Sequence, residues 1–170
     1  RTRQPRFFFV LLLFLGAMNG LVLADSLAWM FFFWEITTLC SFALIGFTKT
    51  EEAVNNSFRQ LMFNLVGGIC FLAALMILAG QYGMLDMGSL LASDSGEKYI
   101  LLAVGLIAVA GTVKAAQMPV HTWLLGAMVA PTPTSALLHS STMVKAGVFV
   151  LLKLSPMMLT DGDPNLVGNM

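Results

Sequence analysis

The sequence predicts an all-α, polytopic membrane protein: a five-helix transmembrane bundle whose fourth helix is discontinuous. Three observations carry this. The 170 residues are 58% apolar and 11% charged, about half the charged share of an ordinary soluble domain. Apolar runs recur at about 20 residues, the length that crosses a bilayer as a helix. Between two such runs, the stretch from Lys114 to Lys145 holds two lysines, two histidines and three prolines. Lipid offers neither water to those charges nor partners to broken backbone, so the combination fits the lining of an ion pathway.

Arg1, Arg3 and Arg6 precede a first span from about Phe7 to Ala24, which positive flanks orient with the N-terminus in the cytoplasm. Asp25 and Ser26 form a turn, with Ser26 a candidate N-cap for a second span from about Leu27 to Phe47. Glu35 lies near the middle of that span, after an aromatic run. A carboxylate there costs about 2.5–3.5 kcal/mol on insertion scales, so something must offset it. A polar loop from Thr48 to Asn56 leads into a third span, about Ser57 to Gly80, where Gly67 and Gly68 allow a neighbouring helix to approach closely. The loop from Gln81 to Lys98 is the most polar segment. It holds one basic residue, Lys98, against Arg1, Arg3, Arg6, Lys49 and Arg59 at the opposite face, which puts this loop outside.

The fourth span starts near Tyr99 and reaches Lys114 about 22 Å later at helical rise, well inside the hydrocarbon. Pro119 then breaks the helix, and a short piece from His121 to Val129 completes the crossing. The fifth span runs from Pro131 to about Leu154, with Lys145 near its middle and His139 about two turns earlier. Lys153 is close enough to the end to snorkel to the interface. The tail from Thr160 to Met170 is polar and loop-like.

Each membrane-depth charge has a bland and a sharp reading. Glu35 is either a carboxylate hydrogen-bonded across helices or half of a buried ion pair coupled to transport. Lys114 adjoins the helix break, and a desolvated lysine with a mobile carboxylate partner makes a proton switch. Glu35 is the only mid-membrane acid available to it, so a Glu35–Lys114 pair is expected. Lys145 has no acid left in this chain: it is uncharged, paired with a segment outside it, or in a hydrated cavity. His139 is interhelical glue beside Ser140, Ser141 and Thr142, or a proton relay between the lysines. His121, beside Trp123, reads as interfacial.

Balanced charge, with nine basic and nine acidic residues, points to no nucleic-acid partner. The sequence holds no phosphate-cradling glycine loop, no Ser–His–Asp arrangement and no cysteine or histidine cluster for zinc or iron–sulfur, so no cofactor or metal is expected. Cys40 and Cys70 read as small packing residues inside spans. The first apolar run has no signal-peptide cleavage pattern after it. The chain begins with Arg1 rather than Met and stops shortly after Pro164, so residues 1–170 read as one transmembrane domain cut from a larger protein.

The segment FFFWEITTLCSFALIGF, with its Trp-Glu pair, resembles the antiporter-like membrane subunits shared by respiratory complex I, Mrp-type Na+/H+ antiporters and group 4 energy-converting hydrogenases. GTVKAAQMPVHTWLLGAMVAPTPTSALLHSSTMVKAGVFVLLKLSP is similar to that family's most recognisable stretch. The resemblance implies one of two inverted five-helix repeats, the first, with a broken helix. It implies that Glu35 is the acid of the ion pair, Lys114 the pumping lysine, and Lys145 and His139 relay positions towards a second half-channel. The expected function is a proton-pumping subunit of a redox-driven complex of the NADH:quinone oxidoreductase or hydrogenase type. An Mrp-type Na+/H+ antiporter subunit is the alternative, and a non-transporting membrane scaffold the rival from another class. The expected partners are the lipid bilayer, other membrane subunits and H+, with Na+ open; the expected location is a prokaryotic cytoplasmic membrane.

Overall fold

The computed structural model describes residues 4–83, 85–93, 97–138 and 142–159, and all the regular elements among them are helices. They are α1 (Gln4–Leu23), α2 (Leu27–Ile45), α3 (Glu51–Tyr82), α4 (Met87–Leu91), α5 (Lys98–Lys114), α6 (Thr122–Gly126), α7 (Thr132–Ala136) and α8 (Met143–Leu159), with short 3-10 turns at Gly46–Thr48 and Ala127–Val129. The long helices pack in the order α1, α2, α3, α5, α8, and a contact between α1 and α8 closes the bundle.

Three segments are by length and composition sufficient to cross a membrane: Gln4–Leu23, Leu27–Thr48 and Glu51–Tyr82. Their outward faces say the same. On α3 the side turned away from the bundle carries Phe58, Met62, Leu65, Val66, Ile69 and Met76. Its buried stripe, by contrast, includes Ser57, Gln60 and Asn64. Apolar side chains outside and amides inside is the reverse of a soluble helix, and it follows from lipid being the solvent. The chain is an all-α integral membrane protein.

Several boundaries differ from the sequence expectation, each for a local reason. The loop expected at Thr48–Asn56 shrinks, because Thr50 caps α3 by accepting a 3.2 Å hydrogen bond from the Ala53 amide, with Glu51 and Glu52 in the first turn. Ser26 does sit at the N-cap of α2, but its hydroxyl donates to the Leu85 carbonyl at 3.3 Å instead of capping. That bond and a backbone bridge between Ser26 and Asp86 tie the α1–α2 turn to the segment before α4. The polar loop expected from Gln81 to Lys98 contains α4, whose Met87 and Leu90 are buried.

The helix break falls earlier than Pro119. α5 ends at Lys114, and Ala116 adopts a left-handed φ of 50°. A proline disfavours helix at the residue before it, which here is Met118, and the break itself falls further upstream, at the left-handed Ala116. The peptide bond preceding Pro119 is cis. Where one continuous fifth helix was expected from Pro131 to Leu154, α7 stops at Ala136 and α8 begins at Met143. The Thr142 amide (3.1 Å) and hydroxyl (2.8 Å) both donate to the Leu137 carbonyl five residues back, the bond of the π-type winding that residues 137–138 adopt after α7. α5 and α8 have 17 residues each, about 25 Å at helical rise, short of a full crossing without the pieces beside them. These two helices meet closely because Gly147 has no side chain: a Cβ there would lie 2.5 Å from both the Gly111 carbonyl and the Ala115 amide.

Candidate functional site

Lys114 is the last residue of α5 and is completely buried. Its ammonium donates to the Trp34 carbonyl at 2.7 Å and to the Thr38 hydroxyl at 3.1 Å, both on α2. It also lies 4.3 Å from the centre of the Trp34 ring, a cation–π distance. The position results from several local features. Trp34 is held edge-on by Phe71 at 5.4 Å. The Trp123 indole, after the break, donates to the Val113 carbonyl at 3.0 Å, giving one of the exposed carbonyls of the α5 terminus a partner. A positive charge at a helix C-terminus is also favoured by the helix dipole.

Glu35 follows Trp34 on α2, and its charge lies within Coulombic reach of Lys114. The two do not form a direct ion pair: the lysine's polar contacts are the Trp34 carbonyl and the Thr38 hydroxyl. The Glu35 carboxylate instead rests against α3 at Gly68, with Oε1 occupying the space that a Cβ at residue 68 would need. That oxygen is buried and has no hydrogen-bond partner in the protein. Leaving such an acceptor dry costs about 1–3 kcal/mol, more for a charged group.

Of the other expected site residues, Lys145 and His121 are among the described residues. Lys145 is on α8 and exposed, on a face shared with the exposed Val148 and Leu152. His139, with Ser140 and Ser141, lies outside the described residues, as do Arg1 and Arg3. His121 is half-buried, and its Nδ1 is buried without a partner. The Lys153 ammonium lies 5.0 Å from the Phe149 ring centre. Cys40 is buried and Cys70 half-buried; both are free thiols.

Sequence reasoning overlooked a polar seam between α2 and α3. Ser41 donates to the Thr37 and Thr38 carbonyls at 2.9 and 2.8 Å, and accepts from the Gln60 amide at 3.0 Å. The Asn64 amide donates to the Gln60 carbonyl at 3.0 Å. Thr38, Ser41, Ser57, Gln60 and Asn64 are all essentially fully buried. The signal was present in the sequence: Ser57, Gln60 and Asn64 recur at three- and four-residue spacing, one face of a helix that is otherwise apolar.

A membrane bundle with a buried lysine at a helix break, and a carboxylate and polar seam beside it, is the arrangement this chain shares with the antiporter-like membrane subunits it resembles. The match to known proteins is specific. Residues 24–166 fit the family described as NADH:quinone oxidoreductase/Mrp antiporter, TM, and the chain belongs to it. It is 39% identical over 154 residues to an Na(+)/H(+) antiporter subunit of Bacillus subtilis (strain 168), covering 88% of this chain and 19% of that protein. It is 40% identical over 158 residues to a probable K(+)/H(+) antiporter subunit of Rhizobium meliloti (strain 1021), covering 91% of this chain and 16% of that one. Among solved structures it resembles a chain of the Mrp complex from Dietzia sp. DQ12-45-1b, with a TM-score of 0.76 and 38% identity over 84% of this chain and 16% of the other. It also resembles a chain of the membrane-bound sulfane sulfur reductase, an archaeal respiratory membrane complex, with a TM-score of 0.80 and 26% identity over 87% of this chain and 31% of that one. The chain therefore spans about a fifth of the length of the curated relatives it matches.

Proposed function

We propose that this chain is a proton-translocating segment of an Mrp-type cation/H+ antiporter subunit, the first repeat of a longer protein in a bacterial cytoplasmic membrane. The observation that carries the reading is Lys114, an ammonium wholly buried at a helix break within Coulombic reach of one membrane carboxylate. In this reading Lys114 alternates between its present partners on α2 and a paired state with Glu35. The proton passes onward through His139 and Lys145 to parts of the full-length protein beyond this chain. Other membrane subunits complete the machine. This reverses the sequence-based preference for a redox-driven pump, because the curated relatives at 39–40% identity are antiporter subunits. Their names differ in the cation, Na+ or K+, so the exchanged ion is left as a monovalent cation.

A redox-driven complex is the second reading, favoured by the fold match to the archaeal respiratory complex. Both readings need the same buried charges. Lys114→Ala and Glu35→Gln in the full-length protein, in its native assembly, test them. Cation-driven H+ flux in sealed vesicles is measured together with assembly on a native gel. Loss of flux per assembled complex is expected. Unchanged flux would reduce the buried charges to a scaffold role. Flux that runs without a cation gradient but follows electron transfer selects the redox-driven reading.

A further inference from the structure

The outward side of α5 carries an open groove of about 530 Å³. Lys98 and Tyr99 stand at one end, and Leu102, Gly105, Leu106 and Val109 continue it along the helix. Their three- and four-residue spacing puts them on one face, opposite the buried Ile100, Val104 and Ile107. From Tyr99 to Val109 the groove follows about 15 Å of helix. Gly105 makes a notch midway: a Cβ there would meet nothing within 4 Å, so the missing side chain leaves open space rather than a packing contact.

The two ends of the groove differ in chemistry. Lys98 is the one basic residue of the Gln81–Lys98 segment. It is exposed and forms no ion pair among the described residues. Glu97 beside it is engaged by the Tyr82 hydroxyl. The other described acids of this end, Asp25 and Asp86, do not line the groove. Beyond Tyr99 the lining is wholly apolar. An occupant must therefore present an anion to Lys98 and the Tyr99 hydroxyl, and an apolar chain to the remainder. A helix is 10–12 Å across and over 15 Å would fill on the order of 1,200 Å³. It can cover this groove but not enter it, whereas a single acyl chain enters it. We infer that the groove seats one anionic phospholipid, its phosphate against Lys98 and Tyr99 and one acyl chain running past Gly105 to Val109. The positive-inside count puts this end of α5 at the exterior face, so the lipid belongs to the outer leaflet, with Tyr99 at the interfacial depth that tyrosine favours. The lipid backs the helix that ends at Lys114, and its binding does not depend on the proton-translocation reading.

The test uses the full-length protein in its assembled complex, purified in mild detergent. Phosphatidylglycerol should be retained by the wild type, read by mass spectrometry, and a density map should show its phosphate beside Lys98 and a chain along Gly105. After delipidation the wild type should rebind phosphatidylglycerol more tightly than phosphatidylcholine. Lys98→Gln should weaken phosphatidylglycerol binding about fivefold, the effect of one basic residue near anionic lipid, and leave phosphatidylcholine unaffected. Gly105→Leu fills the notch from the open side and should expel lipid of either headgroup. Equal binding of the two headgroups by the wild type overturns the proposal, as does retention unchanged in both variants. A map with a protein helix lying over Lys98 to Val109 overturns it too. If the variants do not assemble, the wild-type headgroup comparison and the map decide.

Discussion

Lys114 and Lys145 are the two lysines that the sequence places at membrane depth, and the structure treats them oppositely. Lys114 is enclosed, with a backbone carbonyl, a hydroxyl, an aromatic face and a nearby carboxylate all supplied by this chain. Lys145 is exposed on an apolar face of α8, beside Val148 and Leu152. The first site is complete within these residues. A lysine on an apolar face at lipid depth needs a partner or a wet cavity, and in the proposed function the rest of a longer protein supplies it. The chain is about a fifth as long as its curated relatives, so the remainder of such a protein is where the Lys145 partner is to be sought.

That contrast can be broken most forcefully at Lys114. Its removal deletes two charge-assisted hydrogen bonds and leaves the half-buried Glu35 without its Coulombic partner. The intact complex carrying Lys114→Ala should therefore lose about 2–3 kcal/mol of stability, read as a fall in the unfolding midpoint in detergent. The double variant Lys114→Met with Glu35→Gln should recover part of that loss, because the orphaned charge goes with its partner. A double variant as unstable as the sum of the two single ones would show that the charges do not act on one another.

A smaller effect sharpens the comparison at the helix break. Trp123→Phe keeps most of the buried ring but removes the indole N–H that serves the Val113 carbonyl. About 1–2 kcal/mol should be lost, together with faster hydrogen exchange in residues 112–116. A variant that unfolds normally but exchanges unchanged would show that the α5 terminus holds Lys114 without this cap. Thr50→Ala, which removes the N-cap of α3 far from the lysine, should cost about 1 kcal/mol. It should leave H+ flux per complex untouched, serving as the control for general destabilisation.

Much of this contrast was legible in the sequence because charge in an apolar run is conspicuous. Glu35, Lys114 and Lys145 stand out against lipid-length hydrophobic segments, and a proline announces the break. What was hidden depended on neighbours. Gln60 and Asn64 are uncharged: their spacing with Ser57 marks a polar face of α3, but the facing Ser41 and Thr38 that complete the seam come from another helix. The parting of Glu35 from Lys114 turns on Gly68, which offers the carboxylate a resting place on α3. The end of α5 at Lys114 rather than at Pro119 goes with the left-handed backbone of Ala116, which alanine does not announce in the sequence.

Gly68 also supplies a lever on the same comparison. The atom crowding its missing side chain is the far end of the flexible Glu35, so Gly68→Ala should displace the carboxylate from α3 while leaving the fold intact. Flux should fall roughly tenfold if the resting place is part of the cycle, and stay level if it is not.

Lys145 should show the smallest change in stability. It touches little within this chain, so Lys145→Met should shift the unfolding midpoint by no more than the equivalent of about 0.5 kcal/mol. Transport should nonetheless collapse, because in the proposed route the proton leaves this repeat through Lys145. Equal losses of stability and flux would mean that the lysine is a structural contact with the neighbouring segment. Loss of flux alone would place it on the path, with its charge facing a cavity or an acid that the rest of the protein provides.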